Sequence, residues 1–157
     1  MGRGKNTSFI GKLWGNPVEA RKGDRLMGKR IPVLVIEDEE PVRTILEYNL
    51  RLDGFEVFLA EDGPSGLKLA REKKPKLILL DWMMPGMDGL EVLSELKYDK
   101  RTEHIPVFML TAKRMLGDID RAFDIGADDY IMKPFEPMEL GRTIKEKIKK
   151  CATMKGK

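Results

Sequence analysis

Lys76-Leu77-Ile78-Leu79-Leu80-Asp81 decides the fold, because four apolar residues run without interruption and end on a carboxylate. A strand with one buried face alternates apolar and polar residues, whereas a short unbroken apolar run fits a strand covered on both faces. Outward from this stretch, Val33-Leu34-Val35-Ile36 and Val107-Phe108-Met109-Leu110 are apolar at every position as well. The three runs Pro32–Ile36, Lys76–Leu80 and Pro106–Leu110 therefore read as central strands. The mixed runs Glu56–Ala60 and Asp129–Met132 read as the edges.

Helical patterns separate these runs. Pro41, Pro64 and Pro137 each suit a first helical position, where the missing N–H costs nothing. Val42, Ile45, Leu46, Asn49 and Leu50 form an apolar stripe that Gly54 ends; Leu140, Ile144, Ile148 and Cys151 form another, with lysines opposite. Leu90, Leu93 and Leu96 mark a third helix, and Leu116, Ile119, Ala122 and Phe123 a fourth, which Gly126 can close with a positive φ. A shorter helix holds Leu67 and Ala70. Alternating strands and helices predict an α/β fold, a doubly wound parallel sheet of five strands in one domain over residues 31–150.

A chain of 157 residues fits one such domain and leaves no room for a second of full size. With 41% hydrophobic and 35% charged residues it has a globular composition, and no apolar run approaches the roughly 20 residues of a membrane span. Basic residues near the start are not followed by an apolar segment, so a secretory signal is not expected and the cytoplasm is the default compartment. A single cysteine, Cys151, agrees with that. The net charge of +3 divides unevenly: residues 1–30 carry +6 and the remainder −3. A basic arm of this kind can touch nucleic acid or acidic lipid, but it lacks aromatic interleaving and apolar periodicity, and a disordered leader is the reading its composition favours. Met27 directly precedes the first strand, and Lys22-Gly23-Asp24 can be encoded by a purine-rich stretch resembling a ribosome-binding site, so a true start at Met27 is an alternative. Residues 151–157 form a short basic tail.

In an open parallel sheet, ligands gather beyond the carboxyl ends of the strands. The residues following the apolar runs there are Glu37 and Asp38, then Asp81, then Thr111, then Lys133. Three carboxylates brought together repel by about 4 kcal/mol per pair at an effective dielectric near 20, so the group needs a cation or must take up protons. Magnesium suits so sparse a ligand set better than calcium, which prefers a fuller cage, and one histidine with one cysteine makes zinc improbable. The same arrangement suits phosphoryl transfer: a carboxylate at Asp81 can attack phosphorus while a cation, Lys133 and the Thr111 hydroxyl compensate charge. Each polar residue taken alone could be only a strand end or a helix cap; their recurrence at successive strand ends argues against that.

The motifs Val33-Leu34-Val35-Ile36-Glu37-Asp38-Glu39, Leu79-Leu80-Asp81-Trp82-Met83-Met84-Pro85-Gly86, Met109-Leu110-Thr111-Ala112 and Tyr130-Ile131-Met132-Lys133-Pro134-Phe135 resemble those of the response-regulator receiver family. The resemblance covers roughly Ile31 to Lys150. It implies a flavodoxin-like sheet of order 2-1-3-4-5. It also implies that Asp81 accepts the phosphoryl group and that Mg²⁺ is held by Asp38 directly, by Glu37 through water, by Asp81 and by the backbone carbonyl of Met83. Thr111 corresponds to the switch hydroxyl, Lys133 to the phosphate-binding lysine, Pro134 to a cis proline, and Tyr130 to an aromatic whose rotamer follows Thr111. Small Ala112 would leave the acyl phosphate accessible, and Met83 and Lys113 occupy positions that tune its lifetime. The chain departs from many members in having Glu37 where they have aspartate.

The expected function is that of a stand-alone signalling receiver, phosphorylated from a histidine of a sensor kinase or phosphotransfer protein and switching a surface that an output protein binds. It would catalyse nothing beyond its own phosphorylation and dephosphorylation. The rival reading, a magnesium-dependent phosphohydrolase with an aspartyl nucleophile, needs a further acid and a substrate cap, and no cap-sized insertion interrupts the units. Nucleic acid is not an expected partner except through residues 1–30. His104 reads as a surface loop residue, Trp82 as a shield for the pocket, Tyr130 alternatively as a static edge aromatic, and the ten methionines as core filler.

Overall fold

The computed structural model of the chain describes residues 30–112 and 117–155. Five strands, β1 (Ile31–Ile36), β2 (Phe55–Ala60), β3 (Leu77–Asp81), β4 (Val107–Ala112) and β5 (Asp129–Lys133), pair in parallel in the order β2-β1-β3-β4-β5. The strands alternate with α1 (Glu40–Leu52), α2 (Gly63–Lys73), α3 (Gly89–Tyr98), α4 (Ile119–Ile125) and α5 (Pro137–Lys155). The three all-apolar runs are the three inner strands, as expected of strands buried on both faces.

Alternate residues of one strand enter different cores. Val33 and Val35 of β1, Leu77 and Leu79 of β3, and Phe108 and Leu110 of β4 pack with Leu46 and Leu50 of α1 and with Leu140 and Ile144 of α5. Leu34, Ile36, Ile78, Leu80, Val107 and Met109 face the other way, onto α2, α3 and α4. The period-2 direction of strand side chains thus sorts each run onto two helical layers. Glu37 N–H donates to the Ala60 carbonyl at 3.0 Å and Trp82 N–H to that of Leu110 at 3.1 Å, so neighbouring strands end level with one another.

The strands run one or two residues further than the apolar runs. Asp81, Thr111 and Lys133 are strand residues, because ladder pairing continues through Asp81 opposite Leu110, Thr111 opposite Met132 and Ala112 opposite Lys133. Of the three prolines, Pro137 begins α5, while Pro41 and Pro64 stand second in α1 and α2, after Glu40 and Gly63. The Asp62 side chain caps α2 through the Ser65 N–H, and Asp88 and Glu91 form a reciprocal capping box on α3. α1 ends at Leu52 with Gly54 at φ 95° just beyond, and Gly126 closes α4 at φ 134°.

Some expected core positions are not buried. Ile45 in the α1 stripe and Phe123 in the α4 stripe are both exposed, since each lies at the edge of its stripe. The methionines divide: Met84 and Met109 are core, whereas Met83, Met132 and Met138 are exposed. His104 is exposed, as a loop residue should be. Arg30, counted with the basic leader, reaches the domain, its Nη1 donating to the Arg51 carbonyl at 2.9 Å. The expectations for the rest of that leader, Met27 included, and for Lys113 and Leu116 lie outside the described residues. Among the described residues, no helix is long and apolar enough to cross a membrane.

Candidate functional site

The sheet delivers its polar residues to one end. Just after β1 come Glu37 and Asp38; the last residue of β3 is Asp81; the last of β5 is Lys133. One carboxylate oxygen from each of Glu37, Asp38 and Asp81 lies within 4.8 Å of the others. Glu37, although 0% exposed, has both oxygens partnered: Oε1 accepts from Lys133 Nζ at 3.0 Å and Oε2 from the Glu39 N–H at 3.2 Å. Lys133 Nζ also donates to Asp81 Oδ1 at 2.9 Å, so one ammonium ties residues 52 and 96 positions apart in sequence.

Burial pushes the Asp81 carboxyl up to about 7 from an ordinary 3.8. The hydrogen bond from Lys133 opposes this, while the Glu37 charge and a hydrogen bond with Asp38 add to it. At Lys133 burial disfavours the charge, but the hydrogen bonds to Asp81 and Glu37 outweigh it and hold the ammonium above its usual value. A single lysine facing three acids leaves a deficit of positive charge. Oxygen donors spaced this closely fit a hard divalent ion, and a proton held on Asp81 is the other way of relieving the same repulsion.

A cleft of about 310 Å³ opens over these groups, lined by Asp38, Glu39, Asp81, Trp82, Met83, Leu110, Ala112 and Lys133. Met83 and Ala112 therefore stand at its wall, and buried Trp82 lines its side. Gly89 keeps α3 close under it: a Cβ there would stand 2.5 Å from the Asp81 carbonyl oxygen and 2.7 Å from the Trp82 Cα. The Lys133–Pro134 peptide bond is cis.

Thr111 is the exception. It is 0% exposed, does not line the cleft, and turns its hydroxyl to the Ala112 carbonyl at 3.3 Å. Tyr130, one strand over, makes an edge-on contact with Phe123 at 6.4 Å between ring centroids and lies under Lys147 Nζ at 5.5 Å. Neither residue is hydrogen-bonded to the acidic cluster. Arg43 was not singled out from the sequence, although its Nη1 reaches the carbonyls of both Glu37 and Asp38; its place five residues after the acidic pair, in the first turns of α1, was the available signal.

Residues 33–145 match the family described as the response regulator receiver domain. The phosphate regulon transcriptional regulatory protein PhoB of Escherichia coli (strain K12) is 44% identical over 128 residues, 82% of this chain and 55% of that protein. The alkaline phosphatase synthesis transcriptional regulatory protein PhoP of Bacillus subtilis (strain 168) is 44% identical over 119 residues, 76% of this chain and 48% of that one. The chain spans about half the length of these curated relatives. Among solved structures, the chemotaxis protein CheY4 of Vibrio cholerae superposes with a TM-score of 0.70 at 28% identity, over 74% of this chain and 97% of its own. The receiver domain of the sensor histidine kinase PA1611 of Pseudomonas aeruginosa PAO1, with a magnesium ion coordinated in its active site cleft, gives 0.68 at 30% identity, over 75% and 97%. Motifs, sheet order, acidic cleft and these likenesses agree, and the chain belongs to the receiver domains of two-component response regulators.

Proposed function

We propose that the chain receives a phosphoryl group on Asp81 from a phosphohistidine of a sensor kinase or phosphotransfer protein, with Mg²⁺ bound beside it. The observation that carries this reading is the convergence of three carboxylates within 4.8 Å, with Lys133 bridging only two of them. Glu37, Asp38, Asp81 and the Met83 backbone carbonyl would hold the ion. When bound, it supplies positive charge to the transferring phosphoryl oxygens. Asp81 acts as the nucleophile: its carboxylate oxygen forms a bond to phosphorus as the phosphorus–nitrogen bond to the donor histidine breaks, and the leaving imidazole retains the electron pair of that bond. Lys133, held on Asp81 by a hydrogen bond of 2.9 Å, remains as a cation for the new phosphoryl oxygens, and small Ala112 leaves them room.

Output in this reading passes to a separate protein over the face made by α4, β5 and α5. Exposed Phe123 and Met132 support that choice. The Thr111 hydroxyl would leave the Ala112 carbonyl for the phosphoryl group, and Tyr130 would follow it inward. The chain acts on no other substrate. Asp81→Asn should abolish labelling by a small phosphodonor in Mg²⁺, read as the mass increase of one phosphoryl group on the intact protein; undiminished labelling at another residue refutes the assignment.

A further inference from the structure

One side chain that the phosphoryl chemistry above does not use is built into the same site. Arg43 lies in the first turns of α1, its own N–H donating to the Glu39 carbonyl at 2.9 Å. Its side chain folds back under the β1–α1 turn and is 16% exposed. There a single nitrogen, Nη1, donates to the Glu37 carbonyl at 2.8 Å and to the Asp38 carbonyl at 3.0 Å. The two N–H bonds of one terminal guanidinium nitrogen diverge in a plane, so serving two successive carbonyls fixes the orientation of both peptide groups. Nη2 faces Glu61 at 4.0 Å, beyond the end of β2.

We propose that Arg43 is the positioning residue of the acidic pair: by holding the main chain of Glu37 and Asp38 it sets both carboxylates toward Asp81 and strengthens the binding of a divalent cation there. This rests on the metal-binding reading of the cleft. The two carboxylates hang from consecutive residues where the strand ends, and among the described residues the ladder pairing of β1 stops at Ile36, before Asp38. With its carbonyl released, Asp38 would sample several backbone conformations, only some of which bring its carboxylate to the other two. A guanidinium near an acidic site, acting through charge alone, repels a cation. Removing it should then tighten metal binding, whereas removing a positioning group should weaken it. The two roles predict opposite signs.

The test is a Mg²⁺ titration of the full chain carrying Trp14→Phe, so that cleft-lining Trp82 is its sole indole reporter. Arg43→Met keeps the apolar stem and loses both donors. Its affinity for Mg²⁺ should fall about tenfold, and Arg43→Lys, which keeps the charge but not the planar fork, should lose at least threefold. Arg51→Met removes another α1 arginine, one that bonds the Val57 carbonyl away from the cleft, and should leave the affinity unchanged. Equal or tighter binding in Arg43→Met overturns the proposal, as does an equal loss in Arg51→Met. Should Arg43→Met fail to fold, Arg43→Lys decides by the same criterion. Absence of Mg²⁺ binding in the Trp14→Phe parent would instead remove the metal-binding reading itself.

Discussion

Asp81 is the residue at which structure and titration meet. Its folded carboxyl holds a proton up to about pH 7, whereas the unfolded chain releases it near 3.8, so between those values the native state binds the extra proton. Metal-free stability from this group is therefore fully present below about pH 4 and is lost as pH rises through 7. At about 1.4 kcal/mol per pH unit the limit is about 4 kcal/mol. In chelator, the thermal midpoint should fall between pH 5 and pH 8, and Asp81→Asn should flatten that dependence and raise the midpoint at pH 8. A flat profile in the parent chain would contradict the raised carboxyl. Added Mg²⁺ should reverse the loss, because it binds the ionised form that the empty cleft penalises. The acid, the hydroxyl and the lysine were all legible in the sequence as strand-end residues, because the topology alone sends such residues to one place. The direction of the Thr111 hydroxyl was not legible, since it depends on a rotamer that the inner packing sets. Nor was Arg43, whose partners are main-chain carbonyls that leave no pattern of residue types.

At the scale of elements, the loop from β3 to α3 is held at both of its ends. Its far end is fixed by the Asp88–Glu91 capping box, and the Gly89 N–H donates back to the Trp82 carbonyl at 2.8 Å. α3 begins so close to β3 that only a hydrogen fits at Gly89, and the atoms in the way are backbone, which cannot swing aside. Gly89→Ala should cost about 3 kcal/mol, near the upper end of ordinary overpacking, and should also slow labelling of Asp81 by shifting its carbonyl. Urea unfolding midpoints and initial labelling rates measure the two effects separately. The helices were readable from apolar stripes and caps. Their edges were less so: periodicity shows which face is apolar, but whether Ile45 or Phe123 at the margin is covered depends on how far the neighbouring element extends. The apolar pattern stops short of the strand ends for a related reason, because pairing continues through Asp81, Thr111 and Lys133 after it has ended.

Across the whole molecule, two cores share one sheet, and the cleft lies at the end where β1, β3 and β5 finish. Among the described residues, those that line the cleft fall between Asp38 and Lys133, and a chain beginning at Met27 should bind Mg²⁺ and label on Asp81 within about twofold of the full one. Quantitative labelling with intact-protein mass checks this, and a larger loss would give residues 1–26 a part in the site. Lys133 completes the charge arrangement from the last strand of the sheet, 96 residues beyond Glu37. During synthesis at about 5–20 residues per second, the 52 residues from Asp81 to Lys133 take roughly 3–10 s to emerge. Through that interval a nascent chain owns its three acids but not the ammonium that pairs with them. The finished pocket is in that sense a seal on completed assembly: a ribosome-bound fragment lacking its final strand carries no working copy of the message-bearing centre.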